Sequence, residues 1–211
     1  MARYIGPLEK LSRRERINLY LKGKRSYTEK SALRKRNFAP GQHGRQPQKL
    51  TQYAVQLRSK QALKRMYGLM ERQFRNTFEK AEKSRTAETG ELLMQLLERR
   101  LDSVVFQMGF APNRRTARQI VTHGHILVNG KKVNIPSFLI KEGDVVEVKE
   151  KSRNIQQVKD GLELVQEGYR NIPSWVNVDL ENLRGTFERV PKIEEMDVPV
   201  ELTNIIELYS K

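Results

Sequence analysis

The chain has no cysteine. That excludes disulfides and thiolate metal sites, and it is compatible with a reducing cytoplasm. Histidine is nearly as scarce, with three residues, and there is one tryptophan. No apolar run approaches the ~18 residues of a membrane-spanning helix. The opening residues, MARYIGPLEKLSRRER, lack the apolar core of a signal peptide. Cytoplasm is therefore the expected location. Catalytic signatures are missing too: there is no Walker loop, no nucleophile elbow and no His-Glu-x-x-His motif. Gly41-Gln42-His43-Gly44 is too short to read as a phosphate cradle. The chain is not expected to be an enzyme, and no cofactor is expected. No internal repeat or low-complexity segment is visible.

Acidic residues are thin where the chain begins. Residues 1–50 hold 14 Lys and Arg against 3 Asp and Glu. Over the successive stretches 1–50, 51–100, 101–150 and 151–211 the net charge runs +11, +5, +2 and −3, giving +15 for 211 residues. So steep a gradient points to a polyanionic partner, either nucleic acid or an acidic membrane surface. The length allows one or two domains with a sizeable core.

Residues 1–48 read as a basic arm. They are rich in turn formers and show no apolar face longer than a turn or two, so the arm is expected to order on a polyanion. Residues 51–67 read as a helix capped by Thr51 and ended by Gly68. A second covers 71–83, with Phe74, Phe78 and Ala81 on one side. A third runs from about Thr89 to Gly109 on a stripe of Leu92, Leu93, Leu96, Leu97, Leu101, Val104, Val105 and Met108. Residues 152–169 read as a further helix. Strands are expected at 145–148, 175–178 and 186–190. The last residues, 204–209, fit either a strand or a docking helix.

The densest signal is NRRTARQIVTHGHILVNGKKV, residues 113–133. Asn113 is a good N-cap, Ala117, Ile120 and Val121 make a core face, and Gly124 stops the helix. Strands at 125–128 and 131–133 then flank Asn129-Gly130. An Asn-Gly pair suits a type I′ turn, which needs positive φ at both positions. Arg114 and Arg118 share a helix face with Arg115 and Gln119 in the adjacent row. Lys131 and Lys132 arrive nearby if the hairpin folds beside the helix. Asp102 is the one carboxylate expected near them, so the cations are expected to lack compensation and to serve phosphate binding. His123 and His125 have too few partners for a metal site, and suit RNA contact better. Tyr4, Tyr20, Tyr27, Phe38 and Tyr53 lie among cations. They suit base stacking or local packing equally.

Several blocks together carry a resemblance. They are Met1-Ala2-Arg3-Tyr4-Ile5-Gly6-Pro7, Leu11-Ser12-Arg13-Arg14-Glu15, Ala39-Pro40-Gly41-Gln42-His43-Gly44, Glu71-Arg72-Gln73-Phe74 and the terminal Glu207-Leu208-Tyr209-Ser210-Lys211. In these the whole chain resembles the family of bacterial small-ribosomal-subunit protein four. Arg100-Leu101-Asp102, Ala117-Arg118-Gln119 and Val128-Asn129-Gly130 resemble the RNA-binding module named after that family. The resemblance implies an α+β fold: a mainly helical domain with an extended basic arm, and an inserted module of short helices on an antiparallel sheet. The expected boundaries are 1–48 for the arm, 49–90 for the helical domain, 91–175 for the module and 176–211 for a returning segment. The implied role is primary binding of small-subunit rRNA at a multi-helix junction of the 5′ domain. It includes nucleation of subunit assembly and a place near the mRNA entry path beside small-subunit protein five.

The residues expected to meet rRNA lie in three groups. The arm supplies Arg3, Tyr4, Arg13, Arg14, Arg16, Lys24, Arg25 and His43. The helical region supplies Lys49, Arg58, Lys60, Lys64, Arg65, Arg72 and Arg75. The module supplies Arg114, Arg115, Arg118, Gln119, His123, His125, Asn129, Lys131 and Lys132. Many relatives bind zinc through four N-terminal cysteines; the matching positions here are Glu9, Ser12, Ser26 and Ser31. Neutral hydroxyls are poor zinc ligands, so this chain resembles a zinc-free variant and no metal is expected. Two rival readings are an RNA-modifying enzyme, which would need an added catalytic domain, and a membrane-surface or translational-regulator protein. The arm lacks the amphipathic aromatic face that membrane binding would use.

Overall fold

A computed structural model describes residues 4–46, 49–84 and 86–210. The chain divides into two compact units, residues 1–93 with 197–211 and residues 94–196.

The first unit begins with three short helices, α1 (Leu8–Glu15), α2 (Lys24–Tyr27) and α3 (Ala32–Lys35). The arm thus has more structure than its composition predicts. Leu8, Ser12 and Glu15 lie at helical spacing and are all buried, but two of the three are polar, so no apolar stripe announces the face. Helix α4 (Gln52–Met66) is capped by Thr51, whose Oγ1 accepts from the Ala54 N–H at 3.3 Å. It ends as expected before Gly68, whose φ of 61° suits a residue without Cβ. Helix α5 (Glu71–Lys83) has the bounds read from the sequence, with Phe74, Phe78 and Ala81 buried.

The third expected helix is in fact two. Helix α6 (Thr89–Glu98) stops, and α7 (Leu101–Gln107) starts after Arg100, whose ψ of 136° is extended. The reason is tertiary. Residues 136–140 run alongside, and their backbone takes the hydrogen bonds a continuous helix would have made. The Ile140 N–H donates to Arg99 O, while Leu101 and Asp102 donate to Phe138 O and Pro136 O. The leucine stripe continues through the break, which hides it from periodicity.

The second unit continues with α8 (Arg114–Thr122), β1 (Ile126–Val128), β2 (Lys131–Lys132) and β3 (Val145–Val148). Then come a 3₁₀ turn at Glu150–Ser152, α9 (Gln156–Gln166), β4 (Val176–Asp179) and β5 (Arg184–Phe187). The five strands form one antiparallel sheet in the order β2-β1-β3-β5-β4. The fold class is therefore α+β, as read. Helices α7, α8 and α9 supply Val105, Ile120 and Val158 to a core with Ile126, Val146 and Phe187 of the sheet. Each such side chain contributes roughly 1.5–3 kcal/mol by leaving water.

The expected module boundary at 175 moves. Strand β5 pairs with β3, and β4 with β5, so residues 176–187 complete the sheet and the unit runs to Met196. The segment returning to the first unit starts at Asp197 and ends in α10 (Leu202–Tyr209). The terminal residues are thus a docking helix. Tyr209 stacks on Phe78 and Phe74 with ring centroids 4.5 and 6.4 Å apart. Glu207 accepts from Gln56 Nε2 at 2.6 Å.

Candidate nucleic-acid interface

In the second unit, local chemistry builds the α8–hairpin surface as read. Asn113 Oδ1 accepts from the Thr116 N–H at 2.8 Å. Gly124 has φ 73°, and Asn129 and Gly130 have φ 50° and 75°, the two positive values of a type I′ turn. Asn129 does more than turn. Its Oδ1 accepts from the Val145 N–H at 2.9 Å and its Nδ2 donates to Asp144 at 2.8 Å, pinning the hairpin to β3.

The three arginines of α8 do not form the uncompensated cluster expected of them. Arg114 is buried; its Nη2 donates to Glu98 Oε1 at 2.9 Å and its Nε to Ser103 Oγ at 3.2 Å. The other Glu98 oxygen accepts from Ser103 Oγ and Gln107 Nε2 at 2.9 and 3.0 Å. Arg118 donates twice to Asp102 Oδ2, at 2.9 and 2.7 Å, and Arg100 grips the same carboxylate through both oxygens. One carboxylate shared by two guanidiniums leaves that triad one net positive charge, with Arg118 at its more exposed side. Sequence reasoning saw Asp102 and missed Glu98, which ends α6, sixteen positions from Arg114.

Arg115, Gln119, His123, Lys131 and Lys132 are exposed as read, and His125 is half-buried. The Lys132 side chain crosses Gly124: a Cβ there would lie 2.3 Å from Lys132 Cε and 3.0 Å from its Nζ. Its ammonium thus lies near the carbonyl end of α8, where the helix dipole favours a cation. His125 Nδ1 lies 2.8 Å from Ser152 Oγ. Burial lowers the pKa of His125, and the neighbouring His123, Lys149 and Lys132 push it the same way. Lys132 and Lys149 lie close enough to His125 to act on it and form a positive pole there. Lys149 belongs to it and was not singled out; its N–H donates to His125 O at 3.0 Å, a neighbour relation set by the β1–β3 register.

In the first unit the α4 cations are engaged with carboxylates. Arg58 Nη1 donates to Glu15 Oε1 at 3.2 Å, and Arg65 donates to the same oxygen. Glu15 Oε2 is buried with no hydrogen-bond partner among the described residues. Burial raises the pKa of Glu15, against the pull of Arg58, Arg65, Arg14 and Lys64. Lys60 and Lys64 donate to the two oxygens of Glu71 at 2.6 and 2.7 Å. Burial alone would raise the Glu71 carboxyl, but these lysines hold it down to about 2. Arg75 pairs with Glu79 one turn on, at 3.2 Å.

In the arm, Arg13 Nε donates to Phe38 O at 3.1 Å and its guanidinium lies over the Phe38 ring. Arg45, which was not singled out, faces the same ring 4.8 Å from its centre. Arg25 pairs with Glu9 at 2.7 Å. Tyr4, Arg14, Arg16, Lys24, His43, Lys49 and Arg72 are exposed; Arg3 lies outside the described residues. Tyr20 and Tyr27 pack against each other as a tilted ring pair with centroids 5.0 Å apart, so they are local packing, while Tyr53 is exposed.

The four positions matched to zinc ligands do meet. Glu9, Ser12, Ser26 and Ser31 line one cavity of about 10 Å³. They do not fit the metal: three are hydroxyls, the Ser26 Oγ accepts from the Lys22 N–H at 3.1 Å, and the carboxylate is held by Arg25.

Two family models match the chain in succession. The ribosomal protein S4/S9 N-terminal domain family matches residues 3–98, and the S4 domain family matches residues 99–146. The chain is 87% identical to small ribosomal subunit protein uS4 of Petrotoga mobilis over 211 residues, the full length of both. It is 57% identical to the protein of the same name from Thermotoga maritima, and 56% identical to that of Thermosipho melanesiensis, again over the whole of each chain.

Proposed function

From the premise that the chain belongs to the family of small ribosomal subunit protein uS4, we propose that it is a primary binder of small-subunit rRNA. It grips a multi-helix junction of the 5′ domain through two cationic surfaces. As a family member it is a structural constituent of the ribosome and not an enzyme, and it works in the cytoplasm on rRNA among other ribosomal proteins.

The observation that carries the proposal is the positive pole of the second unit. There Lys132 and Lys149 bracket His125 beside exposed Arg115, Gln119, His123 and Lys131. These side chains project from a helix end and a pinned hairpin, so their geometry is preorganised. Duplex RNA is read through phosphates and 2′-hydroxyls, which such a surface can meet without base contacts. The arm and α4–α5 form the second grip, with Arg14, Arg16, Lys24, Lys49 and Arg72 exposed. Arg13, Arg25, Arg58, Lys60, Lys64, Arg65 and Arg75 each have an internal partner. For these, meeting a phosphate means adding it to an existing ion pair or trading one acceptor for another.

The protein further nucleates assembly of the subunit and sits near the mRNA entry path beside small-subunit protein five. The net −3 of residues 151–211 supports a protein-facing side there. Hydroxyl-radical footprinting of the full chain on small-subunit rRNA tests the junction. Protection is expected on several helices that converge in the 5′ domain, and protection confined to one isolated helix would contradict it. Crosslinks from Glu194 to protein alone support the protein-facing side; crosslinks to RNA alone would overturn it.

A further inference from the structure

The arm folds around a cleft of about 430 Å³, within the ~300–1,000 Å³ range of small-ligand sites. Five cations stand on its walls: Lys10 and Arg13 from α1, Arg25 from α2, Lys35 from α3 and Arg36 at the end of α3. Glu9 is the one carboxylate among the lining residues, and Arg25 already holds it at 2.7 Å. The cleft thus keeps about four positive charges in excess. Its apolar wall comes from Pro7, Ala32 and Pro40. Lys10, Lys35 and Arg36 are exposed, so nothing in the core requires their charge. Crowded like charges around a concavity cost stability unless an anion enters it.

We infer that this cleft receives a single unpaired nucleotide of the bound RNA. The cations meet its two flanking phosphates, and the base lies against the prolines and the guanidinium planes. An RNA base offers the flat apolar face that this wall fits, and arginine planes stack on bases. The inference rests on the rRNA-binding reading and adds to it a receptacle and three residues, Lys10, Lys35 and Arg36, that sequence reasoning did not select.

The test uses the full chain on small-subunit rRNA, read by base-specific chemical probing and by binding titration. Two variants separate charge from shape. The triple change Lys10→Gln, Lys35→Gln and Arg36→Gln removes exposed cations only. Ala32→Trp fills the cleft and leaves all five cations. Circular dichroism and the footprint of the second unit check that each variant is folded. The wild type is expected to protect one unpaired nucleotide that both variants leave reactive. Both should retain the remaining footprint and bind about tenfold more weakly. In the triple variant the salt slope should fall by about two, for two flanking phosphates. A folded Ala32→Trp with wild-type protection and affinity would overturn the cleft while leaving rRNA binding intact. Saturation of the cleft by millimolar 5′-AMP, with no change in rRNA protection, would assign it to a free nucleotide and overturn it also. Failure of the wild type to bind rRNA would overturn both readings.

Discussion

Arg114 Nη2 donates to Glu98 Oε1 at 2.9 Å, with both side chains buried. Arg115, the next residue, is exposed. Two adjacent arginines therefore have opposite roles, one as a strut between α6 and α8, the other as surface charge. Arg114→Ala removes the guanidinium that neutralises the buried Glu98 carboxylate and is expected to cost about 3–5 kcal/mol of stability. Arg115→Gln should leave stability within about 0.5 kcal/mol and lower the rRNA salt slope by about one. Urea unfolding and salt titration of the two variants check this. Equal stability loss in both would show that the distinction is wrong.

Glu71 ties Lys60 and Lys64 of α4 to α5, and Tyr209 Oη donates to it at 3.3 Å from α10. Its carboxyl is held at about 2 against an ordinary 4.5. A depressed carboxyl stabilises the fold above its unfolded pKa, and that contribution is lost as pH falls from about 4.5 to about 2. Glu71→Gln is expected to reduce the acid sensitivity of thermal unfolding in that window, with lower stability at neutral pH. An unchanged pH profile would remove Glu71 from this role.

His125 carries the opposite kind of pH signal, in binding. Burial and the cations around it depress its pKa, so the free protein holds it neutral at pH 7. As pH falls through the depressed pKa, the fold loses this contribution because the charged form is disfavoured. A phosphate beside it reverses the preference and favours the imidazolium. RNA binding should therefore take up a proton and tighten as pH falls below about 6.5. His125→Gln is expected to flatten that dependence between pH 7 and 5.5. Fluorescence titrations at fixed ionic strength read it, and a wild type with flat affinity would contradict a phosphate at this site.

Gly161 of α9 lies where a Cβ would sit 2.5 Å from Gly109 O and 2.6 Å from Ala111 N. Both atoms are backbone, so neither can swing aside. Gly161→Ala should destabilise the second unit by about 1–3 kcal/mol through overpacking, although alanine favours helices. A denaturation midpoint equal to or above wild type would show that α9 can shift.

Local signals made part of this legible. Asn113, Gly124 and Asn129-Gly130 each need one backbone state or one nearby donor, and the chain within a few residues provides it. Helix α5 shows its face through Phe74, Phe78 and Ala81, and its bounds follow. The features that escaped depend on distant partners. Arg100 breaks a continuous leucine stripe because residues 136–140 lie beside it. Glu98 finds Arg114 only after the α6–α8 stretch folds. Helix α1 buries Ser12 and Glu15, which no apolar pattern marks, and β5 joins the sheet only through pairing with the distant β3, carrying β4 with it. The candidate interface follows the same rule. Exposed cations such as Arg115 and Lys132 were visible, whereas ion pairing had already claimed Arg114 and engaged Arg118.

Exposed cations on two surfaces, the α8–hairpin of the second unit and the arm with α4–α5 of the first, are expected to hold an RNA backbone. The salt dependence of binding between the full chain and small-subunit rRNA tests this most directly. With about 6–10 phosphates engaged, affinity should fall roughly 10³–10⁵-fold between 50 and 200 mM salt. An affinity that stays level across that range would contradict phosphate binding by these cations.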